Sequence, residues 1–296
     1  MCLDLWFEKN PIKTYTGGKP KFSNSFNYWR RFYIEKCKML FTIDGLPFKQ
    51  KEVDIPLILF GRCGVNYSKR ADALIAAPIN LHGITSYVDE FTHYDWNTPL
   101  DNGTCKIGVD GVLVENDSLR NPLIALCDRY AMLSAHTDIT FINSLVNGRS
   151  SKTIVAGDNK AQEEARKYQN KLYNGNNDVI VDRAFLGLEF HDNDTTSLGY
   201  LKPLYDTRQA ILYSFYEDLG IKKNQQKRER LVTDEVNADD QLLKLNVKDM
   251  LESRQRACDE INKLFGLKLT VKCNVDYDDN GVIDSEETKE GAENET

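Results

Sequence analysis

Twelve residues near the C-terminus, DYDDNGVIDSEE at positions 276–287, carry the most specific chemical pattern in the chain. Oxygen donors stand at the ligand positions of an EF-hand calcium loop: Asp276, Asp278, Asn280, Val282 through its carbonyl, and Glu287. The flanks differ from an EF-hand, because a strand-like segment precedes the loop and a short polar segment follows it. Two interpretations of residues 276–287 are therefore left: a weak calcium site and a solvated acidic tail.

Side chains that commonly perform catalysis are dispersed along the sequence. The four histidines (82, 93, 136, 191) are isolated from one another and from cysteine, which is typical of ordinary surface or core residues. GRSSKT at 148–153 lacks the glycine spacing of a phosphate loop. Since GxSxG, HExxH and GxGxxG are also absent, the sequence predicts no catalytic residues and a protein that is not an enzyme.

The seven cysteines (2, 37, 63, 105, 127, 258, 273) are scattered and show no CxxC spacing. This pattern predicts reduced thiols in a cytoplasm rather than a disulfide framework or a zinc site. No apolar run approaches the ~18 residues that span a bilayer. The start, MCLDLWFEKN, has no basic n-region, so we expect neither a signal peptide nor a membrane partner.

Charge is unevenly distributed along the 296 residues, whose net charge is −7. Residues 274–296 carry nine acidic side chains against one basic side chain, whereas residues 1–38 carry eight basic against three acidic. The basic arm contributes Lys9, Lys13, Lys19, Lys21, Arg30 and Arg31. The arm is either a solubilising terminus or a docking device.

A second charged segment, KKNQQKRERLVTDEV at 222–236, separates two predicted helices and has no apolar face. Its three acidic residues accompany five basic ones: Lys222, Lys223, Lys227, Arg228 and Arg230. Base stacking is not expected, because the segment contains no aromatic residue. It is either a solvated linker or a surface that attracts phosphate without reading bases.

Local patterns predict an α+β protein in which helices predominate. SFNYWRRFYIEKCKMLF predicts a helix with Ser25 as its N-cap. Runs such as IPLILFG predict short mixed segments broken by Pro and Gly, and KIGVDGVLVEN predicts a hairpin that turns at Asp110-Gly111. The clearest helix runs for about 26 residues, or about 39 Å, from an N-cap at Asn121 to a stop at Gly148.

The second half of the sequence predicts a small αβ insert followed by further helices. The insert contains the strand KTIVA, a helix from about Ala161 to Tyr173, and the strands DVIVD and FLGLEF. One helix is predicted from Asp206 to a stop at Gly220, and another begins at an Asp249/Glu252 capping box. LKLTVKC then predicts a strand.

The segments KRERLVTDEV and SRQRACDEINKLFGLKLTVK closely resemble the head–tail connector (upper collar, or portal) proteins of φ29-type short-tailed phages. In that family, a basic-then-acidic run ending in VTDEV leads through a variable loop to a helix of the SR…AC.EIN.L.GL kind. A weaker resemblance covers NYWRRFYIEKCKMLFTIDGLP and IALCDRYAMLSAHTDITFINSL, which stand where the family has its first helix and its long channel helix.

The resemblance implies a portal fold with long stem helices, a β-containing wing and a small αβ clip. The implied segments are an arm (1–24), a wing with the first helix (25–120), a stem helix (121–150), the clip (151–203), a second stem helix (204–221), a channel loop (222–247), a wing helix and strand (248–273) and an acidic tail (274–296). The five basic residues of the charged segment would face DNA from the channel loop.

The resemblance also implies a homo-oligomeric ring of about twelve copies, a dodecamer, that conducts double-stranded DNA without sequence preference. Implied partners are the major capsid protein, a packaging ATPase, a lower collar or tail protein, a scaffold protein and, in some members, a packaging RNA. The protein would assemble in the host cytoplasm and function in the virion at the portal vertex. No cofactor other than calcium is expected.

Two alternatives of other classes stay open at this point. One is a calcium-binding interaction module that uses residues 276–287. The other is a general DNA-binding accessory protein without ring symmetry.

Overall fold

The computed structural model describes residues 22–84, 90–99, 101–149, 152–173, 188–192, 201–221 and 233–275. These residues divide into two compact units, one with 22–32 and 128–212 and the other with 33–127 and 213–275. The described helices are α1 (Phe22–Lys38), α2 (Lys51–Phe60), α3 (Ile124–Arg149), α4 (Asn159–Tyr173), α5 (Leu201–Leu219) and α6 (Thr233–Phe265).

The described strands form four small antiparallel sheets. In chain order they are β1 (Phe41–Asp44), β2 (Arg62–Ser68), β3 (Ala73–Ala77), β4 (Ile79–Ile84), β5 (Phe91–Asn97), β6 (Asn102–Lys106), β7 (Gly111–Glu115), β8 (Lys152–Ala156), β9 (Leu188–Asp192) and β10 (Thr270–Cys273). The strand orders are β1-β10, β3-β2-β7, β4-β5-β6 and β8-β9. The predicted α+β class is confirmed.

The core of the second unit lies on both sides of strand β2. On one side, Cys63 and Val65 join a buried cluster that includes Ala257 and Ile261 of α6. On the other side, a Cβ atom at Gly64 would lie only 2.7 Å from the Tyr94 ring of β5. The two three-stranded sheets therefore pack closely at Gly64.

In the first unit, helices α1 and α3 are joined through Asp138. Its Oδ2 accepts hydrogen bonds from the indole nitrogen of Trp29 at 2.6 Å and from the Ser25 hydroxyl at 3.3 Å. The prediction that Ser25 is the N-cap is therefore wrong, because α1 already begins at Phe22.

The predicted αβ insert is present: β8 pairs with β9, and Ala161 and Ala165 of α4 pack against Ile154 and Ala156. DVIVD lies outside the described residues.

The segment around IPLILFG, expected to be a short run broken by proline and glycine, belongs to a continuous helix. Helix α2 contains Pro56, whose missing N–H leaves the Glu52 carbonyl without its usual helical donor. The Cys63 thiol lies 3.9 Å from that oxygen. Val53 and Leu57 are buried in the core cluster, so tertiary burial outweighs the local cost of proline.

The predicted hairpin at Asp110-Gly111 is wrong. Strand β6 pairs with β5, whereas β7 pairs with β2, so the two segments belong to different sheets. Gly111 is needed for close packing, because a Cβ there would collide with the Tyr94 hydroxyl. The positive φ of this turn, +77°, falls instead on Gly108.

Three predicted helix boundaries also differ from the structure. Helix α3 has the expected 26 residues but begins at Ile124 and ends at Arg149, one residue beyond Gly148. Helix α5 begins at Leu201, five residues before the predicted Asp206, with Pro203 in its first turn, where proline costs no hydrogen bond. Helix α6 begins at Thr233, so Asp249 lies inside it rather than at its N-cap.

Candidate functional site

The charged segment begins directly after the buried C-terminal end of α5. Gly220 adopts a φ of +90° and ends the helix, as the sequence predicts. Its N–H donates to the Glu217 carbonyl and the Ile221 N–H donates to the Tyr216 carbonyl, both at 2.8 Å. Because Leu219 and Ile221 are both buried, the segment leaves from a fixed point.

The other end of the segment is set by α6. Since this helix begins at Thr233, Asp234 and Glu235 belong to its first turn, where the helix dipole favours acidic residues. The eleven residues that lead from Ile221 to α6, 222–232, hold five basic residues and one acidic residue, a net charge of +4. Their side chains, including Lys222, Lys223, Lys227, Arg228 and Arg230, lie outside the described residues.

Both flanking helices are anchored in the second unit. Phe215 of α5 is fully buried, with its ring centroid 4.3 Å from that of Tyr33. Val247 and Met250 of α6 are buried as well, and the Asn246 amide donates to the Asp218 carbonyl at 3.4 Å. The predicted channel loop of 222–247 is thus too long, because its second half is helical.

Arg254 of α6 is the central charged group of the second unit. Its guanidinium is buried, donates to the backbone oxygen and to Oδ1 of Asn116, both at 2.8 Å, and lies 4.3 Å from the Phe41 ring centroid. Burial lowers the pKa of Arg254 to about 10, although nearby Asp54 acts in the opposite direction. Burial also raises the pKa of Asp54 to about 6, although a hydrogen bond from Gln50 opposes the shift.

The motif SR…AC.EIN in α6 has a direct structural explanation. Ser253, Arg254, Ala257, Cys258 and Ile261 are all buried. The Asn262 side chain holds the exit of the helix, since its Nδ2 donates to the Leu269 carbonyl at 3.0 Å and its Oδ1 accepts from the Leu269 N–H at 2.6 Å. These residues therefore position the helix rather than contact a ligand.

The predicted basic arm is only partly described. Lys9, Lys13, Lys19 and Lys21 lie outside the described residues, whereas Arg30 and Arg31 belong to helix α1. Arg30 forms an ion pair with Asp128, with Nε 2.5 Å from Oδ1. Burial raises the pKa of Asp128 although Arg30 acts in the opposite direction. Arg30 is thus a structural residue of the first unit and not part of a free arm.

The sequence suggested that all four histidines are isolated, but two of them lie side by side in the structure. His82 and His93 are paired across β4 and β5, with stacked rings whose centroids are 5.6 Å apart. His82 Nε2 also lies 3.2 Å from Oδ1 of Asp95, which accepts from the Thr104 hydroxyl at 2.6 Å. The sequence does not show this pairing, because it depends on the register of the two strands.

Among the described residues, no group of three or more His, Cys, Asp or Glu side chains is arranged to hold a metal ion. The calcium candidates Asp276, Asp278, Asn280, Val282 and Glu287 lie outside the described residues. The six described cysteines are free thiols. None of the described helices is long and apolar enough to cross a bilayer.

Comparison with known families identifies the class of protein to which this architecture belongs. The family model for Phage Connector (GP10) matches residues 66–278, which include both flanks of the charged segment and the whole of α6. The chain belongs to this family. It is therefore a phage portal, or head–tail connector, protein, a structural component of the virion at the portal vertex.

Three solved structures are similar to this chain at low sequence identity. The portal and tail of native bacteriophage P68 matches at 13% identity and a TM-score of 0.42, covering 90% of both chains. An HK97 family phage portal protein from Corynebacterium diphtheriae matches at 8% and 0.46, covering 84% of this chain and 91% of that chain. The virion of a native gene transfer agent particle matches at 8% and 0.40, covering 90% of this chain and 84% of the other.

Proposed function

We propose that copies of this chain form a ring-shaped channel that conducts double-stranded DNA during packaging and ejection. The observation that carries the proposal is segment 222–232, a cationic stretch of net charge +4 that follows the buried C-terminal end of α5 and leads into α6. Such a segment can attract phosphates without reading bases. Family membership supports its place in a connector.

Ring symmetry would multiply this modest charge. A heterologous interface that closes on itself presents each segment once per copy around a single axis. With about twelve copies, five basic residues each would place about sixty cations around one duplex. Asp234 and Glu235 belong to the first turn of α6, so the eleven intervening residues keep a single acidic side chain, Glu229.

The test replaces Lys227, Arg228 and Arg230 together by alanine. Particles carrying this variant are expected to lose packaged DNA, so that full-length genomes are recovered from fewer particles. The matched control replaces three exposed lysines elsewhere, Lys69, Lys106 and Lys263, and should retain DNA. Normal filling and retention in the first variant would refute a role for the segment, whereas negative-stain images of the purified wild type test the ring itself.

The proposed partners are the major capsid protein, a packaging ATPase, and a lower collar or tail protein, with a scaffold protein or packaging RNA as further candidates. We infer that the chain itself is not an enzyme and that a separate motor hydrolyses ATP, since the sequence lacks a phosphate-loop motif.

The basic N-terminal arm, residues 1–24, is the candidate contact with the packaging motor. Deleting residues 1–20 should abolish motor docking while leaving ring formation unchanged, and intact docking would exclude this role.

Calcium binding by residues 276–287 stays a prediction from the sequence, supported by the ligand spacing alone. Calorimetric titration of the full chain with calcium tests it. An exothermic site that disappears in Asp276→Ala and Glu287→Ala variants would establish binding. A flat titration would leave these residues as an acidic tail.

A further inference from the structure

Two buried cysteines from distant parts of the chain face each other in the second unit. Cys37 lies in the last turn of α1, and Cys127 lies in the first turn of α3, 90 positions further along the sequence. Their Sγ atoms are 3.7 Å apart, close enough for one thiol to donate to the other. Cys37 is 5% exposed and Cys127 is fully buried. The two thiols are therefore direct neighbours inside the protein.

Only a small movement separates these thiols from a covalent bond. A disulfide holds its sulfur atoms about 2.0 Å apart, so the two Sγ atoms would have to approach by about 1.7 Å. Both side chains belong to helix ends, where backbone hydrogen bonds are fewer than in a helix interior. At the end of α1, the Met39 N–H is shared between the Glu35 and Lys36 carbonyls, at 3.2 Å each. Side-chain rotation with a small adjustment of the helix ends is the expected route to the bond.

The environment of Cys63 shows what distinguishes the pair from an ordinary buried cysteine. The Sγ atom of Cys63 lies 3.4 Å from the Ala77 carbonyl oxygen. A carbonyl oxygen cannot react with an oxidised sulfur, whereas a neighbouring thiol can. Oxidation of either Cys37 or Cys127 can therefore end in a disulfide.

The pair should stay reduced as long as the chain is in a reducing environment. The hydrogen bond with Cys127 raises the pKa of the Cys37 thiol, and burial adds to this effect, although Arg254 acts in the opposite direction. Because the thiolate is the reactive form, we expect oxidation to be slow. The host cytoplasm keeps thiols reduced, but a released virion meets an oxidising environment for as long as it persists.

We propose that Cys37 and Cys127 form a disulfide within each copy after the virion leaves the reducing cytoplasm. The oxidant is a peroxide, which converts the first thiol to a sulfenic acid and releases one water molecule. The second thiol then attacks this sulfur, and its proton leaves with the hydroxyl group as a second water molecule. In total, the two thiols lose two electrons and two protons to one molecule of hydrogen peroxide.

The bond would strengthen the region from which the cationic segment leaves. Tyr216 of α5 lies near Cys37, since burial raises the pKa of this tyrosine and the Cys37 thiol contributes to the same shift. The Tyr216 carbonyl also accepts from the N–H of Ile221, directly before segment 222–232. The proposal does not depend on the ring, because both cysteines belong to the same copy.

Peptide mapping of the oxidised full chain tests the proposal. The chain is purified under reductant, transferred to hydrogen peroxide, alkylated, and digested without reduction. The expected product is a crosslinked pair of peptides that contains Cys37 and Cys127 and is lost on treatment with dithiothreitol. Oxidation should also raise the urea midpoint of unfolding, because a bond across 90 positions restricts the unfolded chain. Particles released by host lysis should carry the same crosslink without added peroxide.

Cys37→Ser and Cys127→Ser should each lose both the crosslink and the rise of the urea midpoint. Cys258→Ala removes a thiol that is 2% exposed and lies outside the pair, so it is the matched control and should keep both. If a serine variant fails to fold by circular dichroism, Cys37→Ala and Cys127→Ala replace them with the same expected outcomes. Recovery of the two cysteines as separate thiols or sulfinic acids, from peroxide-treated chain or from released particles, would overturn the proposal and leave the ring untouched.

Discussion

At the scale of single residues, the second unit is organised around charges that are buried rather than displayed. Arg254 is 5% exposed, and two of its guanidinium nitrogens donate three hydrogen bonds: to the backbone oxygen of Asn116, to Asn116 Oδ1 and to the Met250 carbonyl. Truncating one member of such a network leaves buried polar partners without hydrogen bonds. The arginine therefore fixes the start of the loop between β7 and α3 to α6.

Replacing Arg254 by alanine should lower the free energy of unfolding by about 3–5 kcal/mol, because Asn116 loses its donors and the packing on Phe41 is lost. Urea denaturation measures the change. Arg256, two residues further along α6 and exposed, donates to the Ser253 hydroxyl at 2.9 Å, so Arg256→Ala should cost less than about 1 kcal/mol. Equal losses in the two variants would contradict the structural role of Arg254.

Asp54 gives the second unit a defined pH dependence. Its folded pKa of about 6 lies above its ordinary value of 3.8, so between these values the folded chain holds a proton that the unfolded chain has released. Raising the pH through this window therefore destabilises the folded state, by at most about 3 kcal/mol from this group. In Asp54→Asn this term is absent.

The expected result is a stability difference between Asp54→Asn and the wild type that grows in favour of the variant from pH 4 to pH 7. Urea denaturation at several pH values measures it, and taking the difference cancels the titration of other groups. A difference that is constant with pH would show that Asp54 titrates normally.

At the scale of elements, the pairing of strands decides what each glycine does. Gly111 begins β7, faces Val65 and Asn66 of β2, and lies against the hydroxyl of Tyr94, which donates to the Val65 carbonyl at 3.2 Å. The same residue that predicted a turn from its Asp-Gly context instead allows two sheets to approach. Local sequence could not show this, because the partner is on another strand.

Gly111→Ala should destabilise the protein by about 1–3 kcal/mol through overpacking against Tyr94. Adding Tyr94→Phe removes the hydroxyl and should recover part of the loss, which a double-mutant cycle of urea denaturation measures. Gly108→Ala is the contrasting control: nothing lies within 4 Å of its Cβ, so any cost there comes from its positive φ and should not respond to Tyr94→Phe. Additive effects at 111 and 94 would contradict the close contact.

At the scale of the whole molecule, charge is concentrated in sequence segments of opposite sign. Segment 222–232 carries +4 and residues 274–296 carry −8. Phosphate binding by many identical cations releases counterions, so affinity should depend on salt more than on sequence.

For the assembled wild type, duplex binding should weaken steeply as salt rises and should be equal for two duplexes of different sequence. Alanine at Lys227, Arg228 and Arg230 should flatten the slope of log affinity against log salt concentration, and fluorescence anisotropy measures both slopes. An unchanged slope would show that DNA contacts lie elsewhere in the protein. A strong sequence preference would contradict phosphate recognition.

The sequence by itself determined the features that depend on neighbouring residues. Short-range periodicity and glycine conformation predict the long helix α3, the end of α5 at Gly220, and the strands β8 and β10. The amino-acid sequence of α6 identified the family. The charge of segment 222–232 is likewise a property of composition. These predictions agree with the structure because no contact with a distant part of the chain outweighs the local preference.

Only the tertiary structure decided the features that depend on distant partners. Helix α2 forms despite Pro56 because its apolar residues are buried, and α6 extends back to Thr233 without the predicted cap. The assignment of β7 to β2, the His82–His93 pairing, the ion pair of Arg30 and the burial of Arg254 all join residues far apart in sequence. Burial and strand register depend on contacts between residues that are distant in sequence, so a local sequence pattern cannot predict them.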